Sequence, residues 1–258
     1  MRRQSASACC RAFTLVEVPV VSRRKRAAFT LVELLVVIGI IALLIALLMP
    51  ALSGARSQAM TVRCAANLSD IGRAMQQYAN DYKGKIPRGY YYTPWYEKGH
   101  ILWAEALSRY VGHPVEVADL TAARDPVMAE QFRQIEVYQC PVFPREEQAV
   151  DYVSNTWMGS AGDSAIINVT KLKRSAEVAF LAEANLNRDP ERFWEHDVWS
   201  QTHMPTDIEG NPYPNARVMN DQRHRGRTNL LYIDGHVGNK HFREVGRRDF
   251  DSSYDKFP

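Results

Sequence analysis

The chain has little of what marks a soluble catalyst or a disulfide-stapled domain. Only four of its 258 residues are cysteine, and two of these, Cys9 and Cys10, precede a basic cluster at Arg23–Arg26. Cys64 and Cys140 alone cannot form the dense framework of a small secreted scaffold. There is no Cys-x-x-Cys pair, no Gly-x-Ser-x-Gly elbow, no His-Glu-x-x-His helix and no phosphate-cradling glycine loop. These absences remove the dithiol, serine-hydrolase, zincin and nucleotide-binding signatures. The chain is therefore read as a non-enzyme, with no catalytic residue and no cofactor assigned. No tandem repeat or low-complexity tract occurs beyond the N-terminal region.

An excess of one charge is also missing once its location is considered. The formal charge is +3, but residues 1–28 hold seven basic side chains and one acid, Glu17. The remainder carries 25 basic and 28 acidic residues, a net of −3. Basicity confined to one end fixes membrane orientation by the positive-inside rule. It gives no argument for a nucleic-acid partner.

What is present is a nearly unbroken apolar run ending at Leu48, directly behind Arg23-Arg24-Lys25-Arg26. About 20 apolar residues span a bilayer. A secretory signal has an apolar core of about 7–15 residues followed by a small-residue cleavage site. Here the helical character continues past Pro50, and no Ala-x-Ala site stands out. An ordinary single-span anchor satisfies the length but leaves Glu33 unexplained. An acid at the bilayer centre costs about 2.5–3.5 kcal/mol or more, so it needs a partner or a use. Residues 11–18 nearly repeat residues 27–34, but Pro19, Ser22 and the basic cluster leave that first copy unable to span a membrane.

The block Phe29-Thr30-Leu31-Val32-Glu33 behind a basic cluster resembles the N-terminal signal of type IV prepilins and type II secretion pseudopilins. The resemblance implies cleavage by prepilin peptidase between Ala28 and Phe29, where the family normally has Gly before the cut, and N-methylation of Phe29. It further implies that Glu33 neutralises the new amine of a neighbouring subunit during assembly. In lipid, such pairing offsets two desolvation costs that neither group bears well alone.

Beyond Pro50, Met60, Cys64, Leu68, Ile71, Met75, Tyr78 and Tyr82 recur at helical spacing, with polar residues on the other faces. One helix from Phe29 to about Tyr82 is expected, ended by Gly84 and Pro87. Pro50 should kink it rather than end it. Residues 88–99 read as a loop, 101–111 as a short amphipathic helix and 119–135 as another. Glu177–Ala184 reads as a strand. Asn229–Ile233 and His236–Phe242 read as a hairpin turning at Asp234-Gly235, and 205–220 as a loop.

A second resemblance lies in the motifs Cys64-Ala65-Ala66-Asn67-Leu68, Tyr78-Ala79-Asn80-Asp81, Gln139-Cys140-Pro141, and His224 followed by nine residues and then Asp234-Gly235. They look like a large subfamily of bacterial pseudopilin-like proteins. Together the two resemblances imply an α+β, pilin-like fold, with a long N-terminal helix on a small antiparallel sheet. The implied organisation is a cytoplasmic leader (1–28), a transmembrane half-helix (29–52), an amphipathic half-helix (53–84) and a globular domain (85–258). The implied setting is the bacterial inner membrane, crossed once, with the C-terminal domain outside the cytoplasm. The implied partners are prepilin peptidase, other pilin or pseudopilin subunits, the inner-membrane assembly platform and the lipid bilayer.

In an exported domain, Cys64 and Cys140 either join as a disulfide or stay as buried free thiols; both readings stand. His224, Asp234 and His236 are metal-compatible types. The hairpin turn accounts for Asp234 and Gly235, and His224 is expected to brace that turn, so no metal is assigned there. Glu195, His196, Asp197 and His203 lie around Trp194 and Trp199 and are read as a surface segment.

Overall fold

The computed structural model describes residues 30–87, 103–115, 126–143, 149–155, 168–185, 197–198, 201–207, 209–219 and 222–251. The chain divides into two compact units, residues 1–49 and 50–258. Helix α1, Leu31–Asp81, runs through the boundary with Pro50 inside it. Proline removes one backbone donor; the Ser53 hydroxyl donates to the Pro50 carbonyl at 2.9 Å. In the first unit the large apolar side chains from Leu31 to Met49 are all exposed. This is the one described helix long and apolar enough to cross a membrane.

In the second unit α1 becomes one-sided. Cys64, Leu68, Ile71, Gly72, Ala74, Met75 and Ala79 are buried, which reproduces the core of the expected stripe. Its last two members differ: Tyr78 is half-buried and Tyr82 exposed, and they stack on each other with centroids 4.2 Å apart. Removing side chains the size of Leu68, Ile71 and Met75 from water contributes about 1.5–3 kcal/mol each.

Two short helices follow, α2 (Trp103–Ser108) and α3 (Pro126–Arg133). Both end earlier than the periodicity suggested, at Ser108 and Arg133. Trp103, Ala104, Leu107 and Ser108 form the buried face of α2, whereas Ala106 and Tyr110 are only half-buried. The proposed loop at 88–99 lies outside the described residues.

The sheet has five strands in the order β3-β1-β2-β4-β5: β1 (Tyr152–Asn155), β2 (Ala179–Glu183), β3 (Asp197–Val198), β4 (Arg227–Tyr232) and β5 (Val237–His241). The pairs β1–β2, β2–β4 and β4–β5 are antiparallel. The two-residue edge strand β3 is parallel to β1, an addition to the antiparallel sheet that was expected. β1 and β2 are buried along their whole length, as central strands covered on both faces must be.

The β4–β5 hairpin turns where the Asp-Gly signal placed it. The Gly235 amide donates to the Tyr232 carbonyl and the Tyr232 amide to the His236 carbonyl, both at 2.9 Å. Gly235 sits at φ 93°, a conformation that L side chains resist. The turn lies directly on α1, where the Gln76 side-chain amide donates to the Asp234 carbonyl at 2.8 Å. Opposite it is Gly72. A Cβ there would stand 2.8 Å from Leu231 Cδ1 and 3.0 Å from the Gly235 carbonyl oxygen. Helix and hairpin thus approach to a distance that only glycine permits.

Gly72→Val and Gly235→Val are each expected to destabilise the second unit by about 2 kcal/mol or more, through overpacking and backbone strain respectively. Gly246→Ala, at φ −145° with open space around it, should change stability by less than about 0.5 kcal/mol. Denaturant titration of the full chain in detergent, followed by Trp fluorescence, measures all three.

Candidate functional site

The first site is the start of α1. Ala28 and Phe29, where processing is expected, lie outside the described residues. Thr30 and Glu33 are described and interlock. The Thr30 amide and hydroxyl both donate to Glu33 Oε2, at 2.9 and 2.8 Å. The Glu33 amide donates back to Thr30 Oγ1 at 3.3 Å. This is a capping box, which satisfies donors that the first turn leaves open. Within one subunit, then, Glu33 already has a local use. The Thr-x-x-Glu spacing was the sequence signal for it.

The second site is buried in the second unit, where four separate segments bring Cys64, Cys140, Glu183 and His224 together. Cys64 comes from the buried stripe of α1. Cys140 follows a one-turn helix at Glu136–Tyr138, and its amide is held by Asp151 Oδ2 at 2.6 Å. Glu183 ends β2, and His224 lies in the tight turn Arg223–Arg225 before β4. One ligand atom from each lies within 4.8 Å of the others. Their exposures are 0%, 1%, 0% and 5% in the order named.

The Cys64 and Cys140 sulphurs are 2.6 Å apart as free thiols. His224 Nε2 is 3.4 Å from Cys140 Sγ and 3.2 Å from Glu183 Oε1. The opposite ring nitrogen, Nδ1, is 3.0 Å from the Thr61 hydroxyl. That hydroxyl donates its own hydrogen to the Ser57 carbonyl at 3.1 Å, so its oxygen is left to accept from Nδ1–H. Glu183 is fixed equally well, because it accepts from the Asn229 amide at 3.0 Å and the Asn229 side chain at 2.9 Å. Asn239 in turn donates to Asn229 Oδ1 at 2.8 Å.

These contacts set the protonation. The hydrogen bond with Cys64 is the main cause that lowers Cys140 to about 6; burial opposes it and His224 assists. The same hydrogen bond, with burial, pushes the Cys64 thiol up. Burial works against a charged His224, but Cys140 and Glu183 outweigh it and raise the imidazole to about 9. The directions follow the geometry: Cys140 is shifted toward the thiolate and His224 toward the charged ring. The fully buried Tyr152 hydroxyl, which is influenced by both cysteines and Glu183, has no hydrogen-bond partner.

The backbone is strained at the same point. His224 and Arg225 have φ of 49° and 61°, and Gly226 follows at 75°. Left-handed non-glycine residues are uncommon and collect at functional sites. Arg223 is buried, donates to the Ala184 carbonyl and lies over the Phe143 ring at 4.8 Å.

His224 does not brace the Asp234-Gly235 turn, which corrects the expectation. It precedes β4 and the turn follows it, and six residues of extended strand separate them by roughly 20 Å. Asp234 pairs instead with His236, Oδ1 to Nδ1 at 2.6 Å, on a partly exposed surface. His224, Asp234 and His236 therefore do not converge. Of the residues around Trp194 and Trp199, His203 is buried in a single helical turn and Asp197 begins β3. Glu195 and His196 lie outside the described residues. Sequence reading missed Glu183, Thr61 and Asn229. Glu183 had one signal, an acid closing the apolar run Ala179-Phe180-Leu181-Ala182; the other two had none.

Residues 23–49 match the family described as the prokaryotic N-terminal methylation motif. No curated protein and no solved structure matches the chain.

Removing Glu183 would strand two Asn229 donors and the His224 ring in a dry interior. Glu183→Ala is expected to cost about 3 kcal/mol or more, because breaking one side of a buried ionic network leaves the rest uncompensated. Asn229→Ala in the Glu183→Ala background should cost much less than alone. A double-mutant cycle by denaturant melts of the full chain in detergent measures both.

Proposed function

We propose that this chain is a membrane-held subunit of a type IV pilin-like filament and, within that class, a pseudopilin of a type II secretion-like machine. The methylation motif at residues 23–49 carries the reading. It supports a prepilin-type signal, processing by prepilin peptidase, and assembly with other pilin-type subunits. The motif and the exposed apolar half of α1 together support a single-pass membrane anchor. The long helix, apolar on all sides and then one-sided against a small sheet, fits such a subunit.

The finer reading follows from the same residues. The basic cluster at Arg23–Arg26 holds the leader in the cytoplasm and the second unit crosses to the other side of the bacterial inner membrane. There the chain waits with an assembly platform until extraction into a filament. The soluble part is net acidic, and no nucleic-acid partner is assigned. The His224 and Asp234-Gly235 signature supports a pseudopilin-like protein. A pilus subunit for adhesion, motility or DNA uptake shares every N-terminal feature and is the second reading; recovery of this chain in long sheared surface fibres would favour it.

Cleavage is expected between Ala28 and Phe29, giving an N-methylated Phe29. Mass spectrometry of the membrane-extracted chain reads it directly; an intact leader in cells with active peptidase overturns the processing claim.

The capping box separates two roles of Glu33. If Glu33 serves a neighbouring subunit's amine, Glu33→Ala leaves membrane insertion intact but blocks incorporation, and Thr30→Val, which removes only the hydroxyl side of the cap, still incorporates. Equal loss in both variants, scored by shearing and immunoblot, would reduce Glu33 to a helix cap. Normal assembly of Glu33→Ala would remove the pairing role.

A further inference from the structure

We propose that Cys64, Cys140, His224 and Glu183 form a closed binding site for one divalent transition-metal ion, of the zinc type. The site lies apart from the N-terminal assembly signal and does not rest on the filament reading. Two sulphurs, one imidazole nitrogen and one carboxylate oxygen are the atoms with which zinc builds four-coordinate structural sites. Four segments far apart in sequence deliver them to one buried point, all within 4.8 Å of one another.

Orientation favours a metal over coincidental packing. A metal-bound histidine donates its other ring N–H to an oxygen acceptor, which fixes the ring and leaves the second nitrogen free to ligate. His224 has that arrangement, with Nδ1 on a Thr61 oxygen and Nε2 turned toward Cys140 and Glu183. Glu183 is held from behind by the amide and side chain of Asn229. The ligands thus have fixed supports on their outer sides. Their ligating atoms converge on one another, and three of them belong to groups that carry negative charge when ionised. The left-handed backbone of His224 and Arg225 aims the ring at this point, and such strain persists only where surroundings enforce it.

The dimensions are close. In a tetrahedral zinc site, neighbouring ligand atoms lie roughly 3.3–3.8 Å apart, given bonds of about 2.0–2.3 Å. The nitrogen–sulphur and nitrogen–oxygen separations are 3.4 and 3.2 Å. The two sulphurs, at 2.6 Å, must open by about 1 Å, a small side-chain rotation. Binding releases two protons in all from the thiols and imidazole and changes no oxidation state. The loaded site then carries net charge −1: the divalent ion against two thiolates and one carboxylate. Buried Arg223 stands beside it in sequence to offset that charge.

The full chain, purified in detergent with a thiol reductant, is loaded with Zn(II) and separately with Co(II). We expect about one metal per chain, thiolate-to-cobalt charge-transfer bands with tetrahedral visible bands, and protection of Cys64 and Cys140 from alkylation that a chelator abolishes. His224→Ala and Cys140→Ser should lose the charge-transfer bands or weaken binding at least about 100-fold, and Thr61→Val should weaken it about 10-fold. Spectra of the unmutated chain decide the matter even if every variant misfolds. Stoichiometric cobalt without sulphur bands places the metal elsewhere and overturns the site, as does no uptake by the folded, reduced chain. Recovery of a Cys64–Cys140 disulfide by non-reducing peptide mapping of the chain as isolated, with no metal uptake after reduction, assigns the pair to a covalent bridge and overturns it too.

Discussion

The second unit depends on one face of α1 being removed from water. Leu68, Ile71 and Met75 are buried in one core with Leu181 and Leu231 of the sheet and with Ile233. Each such side chain returns on the order of 1.5–3 kcal/mol on burial, so sheet and helix stabilise each other. Gly72 sets how near they come, since a side chain there would press on Leu231 and on the Gly235 carbonyl.

That packing has a chemical consequence further along the same helix. Cys64 lies on the stripe one turn before Leu68, so docking α1 carries its thiol inside as well. There it meets the loop at Cys140, the end of β2 and the turn before β4. A polar cluster buried from bulk solvent at such a junction gains most from partners within the protein. Thr61, Asn229 and Asn239 form an outer set of hydrogen bonds that hold His224 and Glu183 in place. The cluster ties together four segments that are distant in sequence, so its state bears on the cohesion of the whole unit.

The two halves of α1 obey different rules because they answer to different surroundings. From Leu31 to Met49 every large apolar side chain is exposed, and no protein surface within that unit takes them up. A bilayer or the apolar cores of neighbouring helices would. Beyond Pro50 the same helix alternates polar and apolar faces. Glu33, at the head of the apolar half, is closed onto Thr30.

Patterns of near neighbours made the frame readable in the sequence. Apolar spacing gave α1 and its buried side. Asp234-Gly235 gave the hairpin, because a tight turn that needs positive φ at one position admits few residues there. The block from Arg23 to Glu33 gave the membrane signal, because charge, apolar length and a lone acid are linear features. Helices α2 and α3 end earlier than expected, since apolar periodicity continues where the hydrogen-bonded run has stopped. The parallel edge strand β3 was invisible: two residues carry no period.

The polar cluster shows where sequence stops. Cys64, Cys140 and His224 were each noticed, but His224 was assigned to the wrong neighbour, because closeness along the chain suggested the hairpin turn. Strand β4 carries the turn away from it, and the folding of α1 onto the sheet brings the cysteines to it. Glu183 is one acid at the end of an apolar strand until four segments converge on it. Composition and spacing determined the long helix, its two characters and its N-terminal signal, since those properties are local. Only the tertiary structure decided which thiols, imidazole and carboxylate share one dry site, since that is fixed by packing between residues far apart in the chain.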